Sequence, residues 1–221
     1  MRTKHTIAAA LSVTLMTAAQ AGTIVSAVSA TVLSGGPGVG NIADTYNQFG
    51  LFTDYTSGVT DYDTYFAANP LHDVQFDGQE WFSNSGTSTA AVSYDLGSVQ
   101  SIQGMALWNE DASGIGSLNL LGSKDGTTWF SLLSNLSPTN NPFGVSYGAD
   151  LYKWAATDLR YVRLDMSNCP QPNDGGFKAC SIGEVAFNAA PASTVPETSS
   201  LSLALMGVGL VGAGFLRRRQ A

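Results

Sequence analysis

Basic residues are scarce in this 221-residue chain: ten Lys and Arg, two His, and a charged fraction of 12%. That charged share is about half of what an ordinary soluble domain carries. Surface helices need charged outer faces, so low charge combined with 24 glycines argues for strands and turns. Five of the ten bases, Arg2, Lys4, Arg217, Arg218 and Arg219, lie at the extreme ends. Between residues 22 and 196, five bases face sixteen carboxylates, a net of −11. A body this acidic is repelled by phosphate backbones, which sets nucleic-acid binding aside. His5 and His72 are the only histidines, so a His-rich zinc site is unavailable. No G-x-S-x-G elbow is present, and the glycine-rich run 35–40 lacks the Gly-Lys-Ser/Thr of a phosphate loop. No catalytic residues are assigned, and the chain is not expected to be an enzyme.

The two ends read as addresses. Residues 1–21 place a basic start (Arg2, Lys4) before an apolar stretch and an Ala19-Gln20-Ala21 cleavage pattern, the layout of a secretory signal peptide. At the other end, residues 189–200 form a small-residue linker, followed by an apolar run over 201–216 and the triplet Arg217, Arg218 and Arg219. Sixteen helical residues span about 24 Å, slightly less than the ~30 Å hydrocarbon core, and the Arg triplet would keep the terminus cytoplasmic. Val195-Pro196-Glu197, the apolar run and the Arg cluster together resemble the PEP-CTERM sorting signal of Gram-negative bacteria. The family usually has Pro where this chain has Thr198. The resemblance implies export across the inner membrane, transient anchoring, and processing by an exosortase-type protease. Delivery to the cell surface or an extracellular matrix follows from it.

The body, residues 22–188, reads as one all-β domain. Strand candidates cover 23–33, 90–96, 102–108, 117–122, 128–133, 159–166 and 182–187, separated by turn signals such as Asp125-Gly126 and Asp174-Gly175-Gly176. Residues 35–90 are irregular and rich in Asp, Tyr and Asn, so long loops are expected there. Several short strands with turn punctuation predict a β-sandwich or jelly roll. Five ordered fragments resemble the discoidin, or coagulation factor 5/8 type C, domain. They are Ser93-Tyr94-Asp95-Leu96-Gly97-Ser98, the stretch from Ile102 to Leu107-Trp108-Asn109, Gly122-Ser123-Lys124-Asp125-Gly126-Thr127-Thr128-Trp129, Arg160-Tyr161-Val162-Arg163-Leu164, and Ile182-Gly183-Glu184-Val185-Ala186-Phe187-Asn188. The resemblance implies a galactose-binding-like jelly roll that binds glycans or lipid surfaces. The family's earlier Asp-Gly and Trp stretch is matched only loosely, by residues 73–81.

Three constellations follow. Cys169 and Cys180, the only cysteines, are expected to form a structural disulfide, since an exported chain meets an oxidising compartment. Asp73, Asp77, Glu80 and Glu184 offer oxygen ligands for calcium. In the resembled family a calcium lies near the Asp-Gly turn and is reached by a late-strand glutamate, here matching Glu184. Trp108, Asn109, Glu110 and Asp111 combine a stacking face with hydroxyl-binding groups at a presumed strand mouth, and Trp81 is the expected second wall. Adjacent strand residues point to opposite faces, which argues against Glu110 and Asp111 acting as a catalytic pair. The leading expectation is a surface carbohydrate- or exopolysaccharide-binding module for a neutral or cationic glycan. A structural matrix or adhesion protein without a small ligand is the alternative.

Overall fold

The computed structural model describes residues 22–75, 79–172 and 176–191. The expected signal peptide, the sorting residues Val195, Pro196 and Glu197, the apolar run 201–216 and Arg217, Arg218 and Arg219 all lie outside them. Among the described residues, no helix is long and apolar enough to cross a membrane.

Among the described residues, ten strands, a 3-10 turn and one short helix follow one another. The strands are β1 (Thr23–Val25), β2 (Ser29–Ser34), β3 (Val39–Gly40), β4 (Trp81–Phe82), β5 (Ala90–Trp108), β6 (Ser117–Ser123), β7 (Phe130–Leu136), β8 (Asp150–Ser167), β9 (Ser181–Ile182) and β10 (Glu184–Ala189). The 3-10 turn covers Ile42–Thr45, and helix α1 covers Tyr62–Ala67. Seven strands form one antiparallel sheet in the order β1-β10-β5-β8-β6-β7, with β2 also on β5, while β3-β4-β9 form a small second sheet. The described residues are all-β in architecture apart from the one short helix, and their strands enclose one main core.

Several expected boundaries differ. The region 35–90, expected as long loops, carries β3, the 3-10 turn, α1 and β4. The run 182–187 divides into β9 and β10, and 128–133 shifts to β7. The stretch 23–33 divides because the chain changes partner: β1 pairs with β10 and β2 with β5. The runs 90–96 and 102–108 are one strand of 19 residues. Asp95-Leu96-Gly97 is a bulge within it, where the register against β8 shifts between Asp95 and Gln100. Gly97 takes a positive φ there and donates its N–H to Asp95 Oδ1 at 2.7 Å, and such an insertion bends a strand without ending it. Strand β8 begins at Asp150, nine residues before the expected start; in its first half only Tyr152 and Trp154 turn toward the core, alternating with the exposed Leu151, Lys153 and Ala155.

Alternation across the long strands separates two apolar clusters. Met105 and Leu107 of β5, with Val185 and Phe187 of β10, face the main core. Ala106 and Trp108, with Ala186, face the opposite side and meet Ile24, Leu51, Tyr55, Tyr62, Tyr65 and Tyr147. Neighbouring strand residues must point to opposite faces, so both sides of this sheet need a cover. Loop 46–72 and α1 cover the second side. Asp61 caps α1 by accepting the Thr64 N–H at 2.7 Å, and Tyr62 and Tyr65 turn inward from it. The Cys169 to Cys180 disulfide is present, with Cα atoms 5.0 Å apart, and ties the end of β8 to the approach of β9. In the 12-residue loop of the chain-entropy model such a bond contributes about 3 kcal/mol.

Candidate functional site

The expected binding residues are interior. Trp108 and Asn109 have no exposed surface, Trp81 none, and Glu110 and Asp111 almost none, so they form no open aromatic-lined site. Trp108 lies against Phe66 of α1, ring centroids 5.5 Å apart, and donates Nε1–H to the Pro70 carbonyl at 3.0 Å. The irregular region folds over this ring and closes the strand mouth. Trp81 donates to the Pro37 carbonyl at 3.0 Å and belongs to the main core. Asn109 fastens three loops. Its Nδ2 donates to the Thr139 carbonyl at 2.8 Å and to Gln171 Oε1 at 2.9 Å, and its Oδ1 accepts the Ile115 N–H at 2.8 Å.

Glu110 and Asp111 converge after all, because β5 ends at Trp108 and the turn beyond it frees them from strand alternation. With Glu80 they bring carboxylate oxygens within 4.8 Å of one another. Glu110 accepts the Ala112 and Ser113 N–H groups and the Ser181 hydroxyl, each at 2.6 Å. Asp111 accepts the Gly144 N–H at 2.6 Å, and Glu80 accepts the Tyr147 hydroxyl at 2.8 Å. Burial, followed by the Glu110 charge, pushes the Glu80 carboxyl well above the usual range. Burial likewise raises Glu110 and Asp111. Buried His72, 3.8 Å from Glu80, is pushed downward by desolvation and so is no ready counter-charge. These groups hold loops 109–115 and 138–147 to β4 and β9.

Of the expected calcium ligands, Glu184 is fully buried at the start of β10, opposite Trp108. It does not meet Asp73. Its Oε2 accepts the Gln48 N–H at 3.0 Å, its Oε1 has no hydrogen-bond partner, and burial with the charge of Asp44 raises its carboxyl well above the ordinary value. Asp73 instead accepts the Gln75 N–H and donates its own N–H to the Gly50 carbonyl. Asp77 lies outside the described residues. Glu80 joins the other carboxylates described above.

The exposed chemistry lies on the cover itself. Segments around Leu51, His72 and Tyr147 lie side by side through antiparallel bridges. Gln48 locks the first of them: it holds a positive φ of 68°, its N–H reaches Glu184, and its Oε1 accepts the Tyr55 N–H at 2.7 Å. Left-handed backbone is uncommon for Gln and persists only where its surroundings fix it. On this fixed loop Phe49 and Phe52 are 66% and 61% exposed. A cleft of about 380 Å³ is walled by Asn47, Gln48, Phe49, Leu51, Asp54 and Tyr55. A second, of about 200 Å³, lies among Phe52, Thr53, Tyr65, Asn69 and Leu71. The larger has the size of a small-ligand pocket. A still larger cleft, about 500 Å³, follows residues 32–42, but no charged side chain or aromatic ring lines it. Sequence reading missed Phe49 and Phe52. The available signal was the Asn47-Gln48-Phe49-Gly50-Leu51-Phe52 run, two rings beside amides in a segment without strand alternation.

No protein-family model matches the chain, and no curated protein matches it. Among solved structures, it is similar to chitosan-binding module 1 of a chitosanase/glucanase from Paenibacillus sp. IK-5, at 19% identity and a TM-score of 0.47, covering 74% of this chain and 95% of that one. It is similar to CBM32 of AlyQ in complex with 4,5-unsaturated mannuronic acid, at 15% identity and a TM-score of 0.44, covering 74% and 96%. A pectin binding carbohydrate binding module gives 20% identity and a TM-score of 0.39 over 51% and 73%.

Proposed function

We propose that this protein is an exported glycan-binding module whose site is loop 47–55 with its two clefts, acting at the cell surface or in an exopolysaccharide matrix. One observation carries the reading: two phenyl rings are held in solvent on a loop fixed by a buried glutamate. Isolated exposed apolar residues are ordinary, and burying each ring would contribute about 1.5–3 kcal/mol. Two rings kept out together, beside amides and a carboxylate, suit the C–H faces and hydroxyls of a sugar. The disulfide supports export. The signal-peptide, PEP-CTERM and exosortase readings of the terminal segments, with transient anchoring through 201–216, belong to the same proposal.

Calcium belongs to it as well. Glu184 presents a buried carboxylate oxygen with no hydrogen-bond partner, which supports the reading, and the charge of Asp44 acts on it. Hard cations take six to eight oxygens, so Glu184 and Asp44 would be joined by loop carbonyls. A bound cation would supply the positive charge that two buried carboxylates lack.

The test is a glycan array on the full chain, with and without calcium, comparing the unsubstituted protein with Phe49→Ala and Phe52→Ala. The expected result is a set of bound glycans lost in both variants while their unfolding midpoints stay unchanged. Calcium should raise the midpoint of the unsubstituted protein but not of Glu184→Gln, as ligand linkage requires. A chain that binds no glycan would be the structural matrix protein instead.

A further inference from the structure

We infer that the glycan selected by loop 47–55 is a polycation, a polymer of amino sugars carrying free ammonium groups. The inference rests on the glycan reading above and adds the charge of the ligand. Asp54 walls the larger cleft. Its charge also acts on Tyr65, a wall of the smaller one. Among the described residues, no ion pair engages Asp54. Of the five described bases, four are paired elsewhere, Lys124 with Asp158, Lys153 with Asp63, Arg160 with Asp95 and Arg163 with Asp165, and the fifth, Lys178, lines neither cleft. Neither cleft has a Lys or Arg in its walls.

Phenyl rings beside an uncompensated carboxylate accept a sugar face and an ammonium together, and a phenyl face itself attracts a cation. Single exposed ion pairs contribute little. A polymer presents its ammonium groups repeatedly, so weak contacts act together and the acidic body raises the local concentration of cations. A polyuronate meets the same field as repulsion.

The experiment is calorimetric titration of the full chain at mildly acidic pH, where sugar amines are protonated. The probes are a glucosamine hexamer, an N-acetylglucosamine hexamer and an oligogalacturonate. The glucosamine hexamer should bind roughly three- to tenfold more tightly than its acetylated counterpart, and the gap should close at high salt. Asp54→Asn should weaken the first and leave the second unchanged. Equal affinity for both hexamers, preference for the uronate, or an Asp54→Asn variant without effect would overturn the charge inference and leave the glycan reading standing. Binding of none of the three probes, with an empty array, would overturn both.

Discussion

The bulge and the far end of β5 solve the same problem in opposite ways. At the bulge, Asp95 is paired outside the core: Arg160 donates Nε–H and Nη2–H to its two carboxylate oxygens, both at 2.7 Å. At the Trp108 end, Glu80, Glu110, Asp111 and Glu184 are all interior, and no described Lys or Arg pairs with any of them. Burying an ion costs several kcal/mol unless geometry compensates it. The bulge therefore spends little on electrostatics and fixes only a bend. The other end holds costly carboxylates in place, and through Gln48, Gly144 and Tyr147 they position the loops that carry exposed rings.

The largest effect should come from apolar packing. Trp108→Ala removes a fully buried ring, its contact with Phe66, and the donor to the Pro70 carbonyl. Large-to-small changes of this kind cost about 3–5 kcal/mol, here with a carbonyl left unpaired. Trp129, toward the opposite end, is only partly buried and lies beneath the Arg163 guanidinium, 5.9 Å from its ring centroid. Trp129→Ala should cost much less. Urea unfolding of both variants checks this; equal losses would erase the distinction between a covered and an open end.

What the sequence disclosed follows the range of the interactions. The β6–β7 turn was legible because its stabilisation is local: Asp125 Oδ1 accepts the Thr127 and Thr128 N–H groups within three residues. The disulfide was legible because the chain's two cysteines have only each other. The burial of Trp108 was not, since its cover comes from Phe66 and Pro70, some forty residues earlier, in a stretch without strand periodicity. Glu184 entered the sequence reading only as a candidate calcium ligand; its burial and its contact with Gln48 were not legible. Nothing local in Asn41 to Gln48 announces that the Gln48 N–H would reach across to β10.

An intermediate effect should follow pH at the carboxylate cluster. Burial raises the folded-state pKa of Glu80 and Glu110 above the unfolded value of 4.5. The folded state then holds more protons than the unfolded one above that value, so stability falls as pH rises through the neutral and alkaline range. Glu80→Gln keeps an acceptor for the Tyr147 hydroxyl and removes one buried charge. It should flatten the decline and gain on the order of 1–3 kcal/mol at alkaline pH relative to the unsubstituted chain. Thermal unfolding across the pH range reads this directly, and a variant whose curve parallels the parent's would remove the cluster from the comparison.

The smallest effect should be at Asp95, with the opposite sign. The Arg160 guanidinium holds the Asp95 carboxyl below its ordinary value of 3.8, with the Gly97 N–H adding to it. Here the unfolded state binds the proton more readily, so the contribution is present above 3.8 and disappears as pH falls through the lowered folded value. Both partners reach solvent, which screens the pair and limits its worth. Asp95→Asn should therefore shift the neutral-pH midpoint by less than Glu80→Gln shifts the alkaline one. The shift should shrink in high salt and vanish in strong acid. If Asp95→Asn instead lowered the midpoint as much as Trp108→Ala, the bulge would be an anchor of the fold. The Asp95 carboxylate, through Gly97 and Arg160, would then be holding β5 and β8 in register rather than closing a surface bend.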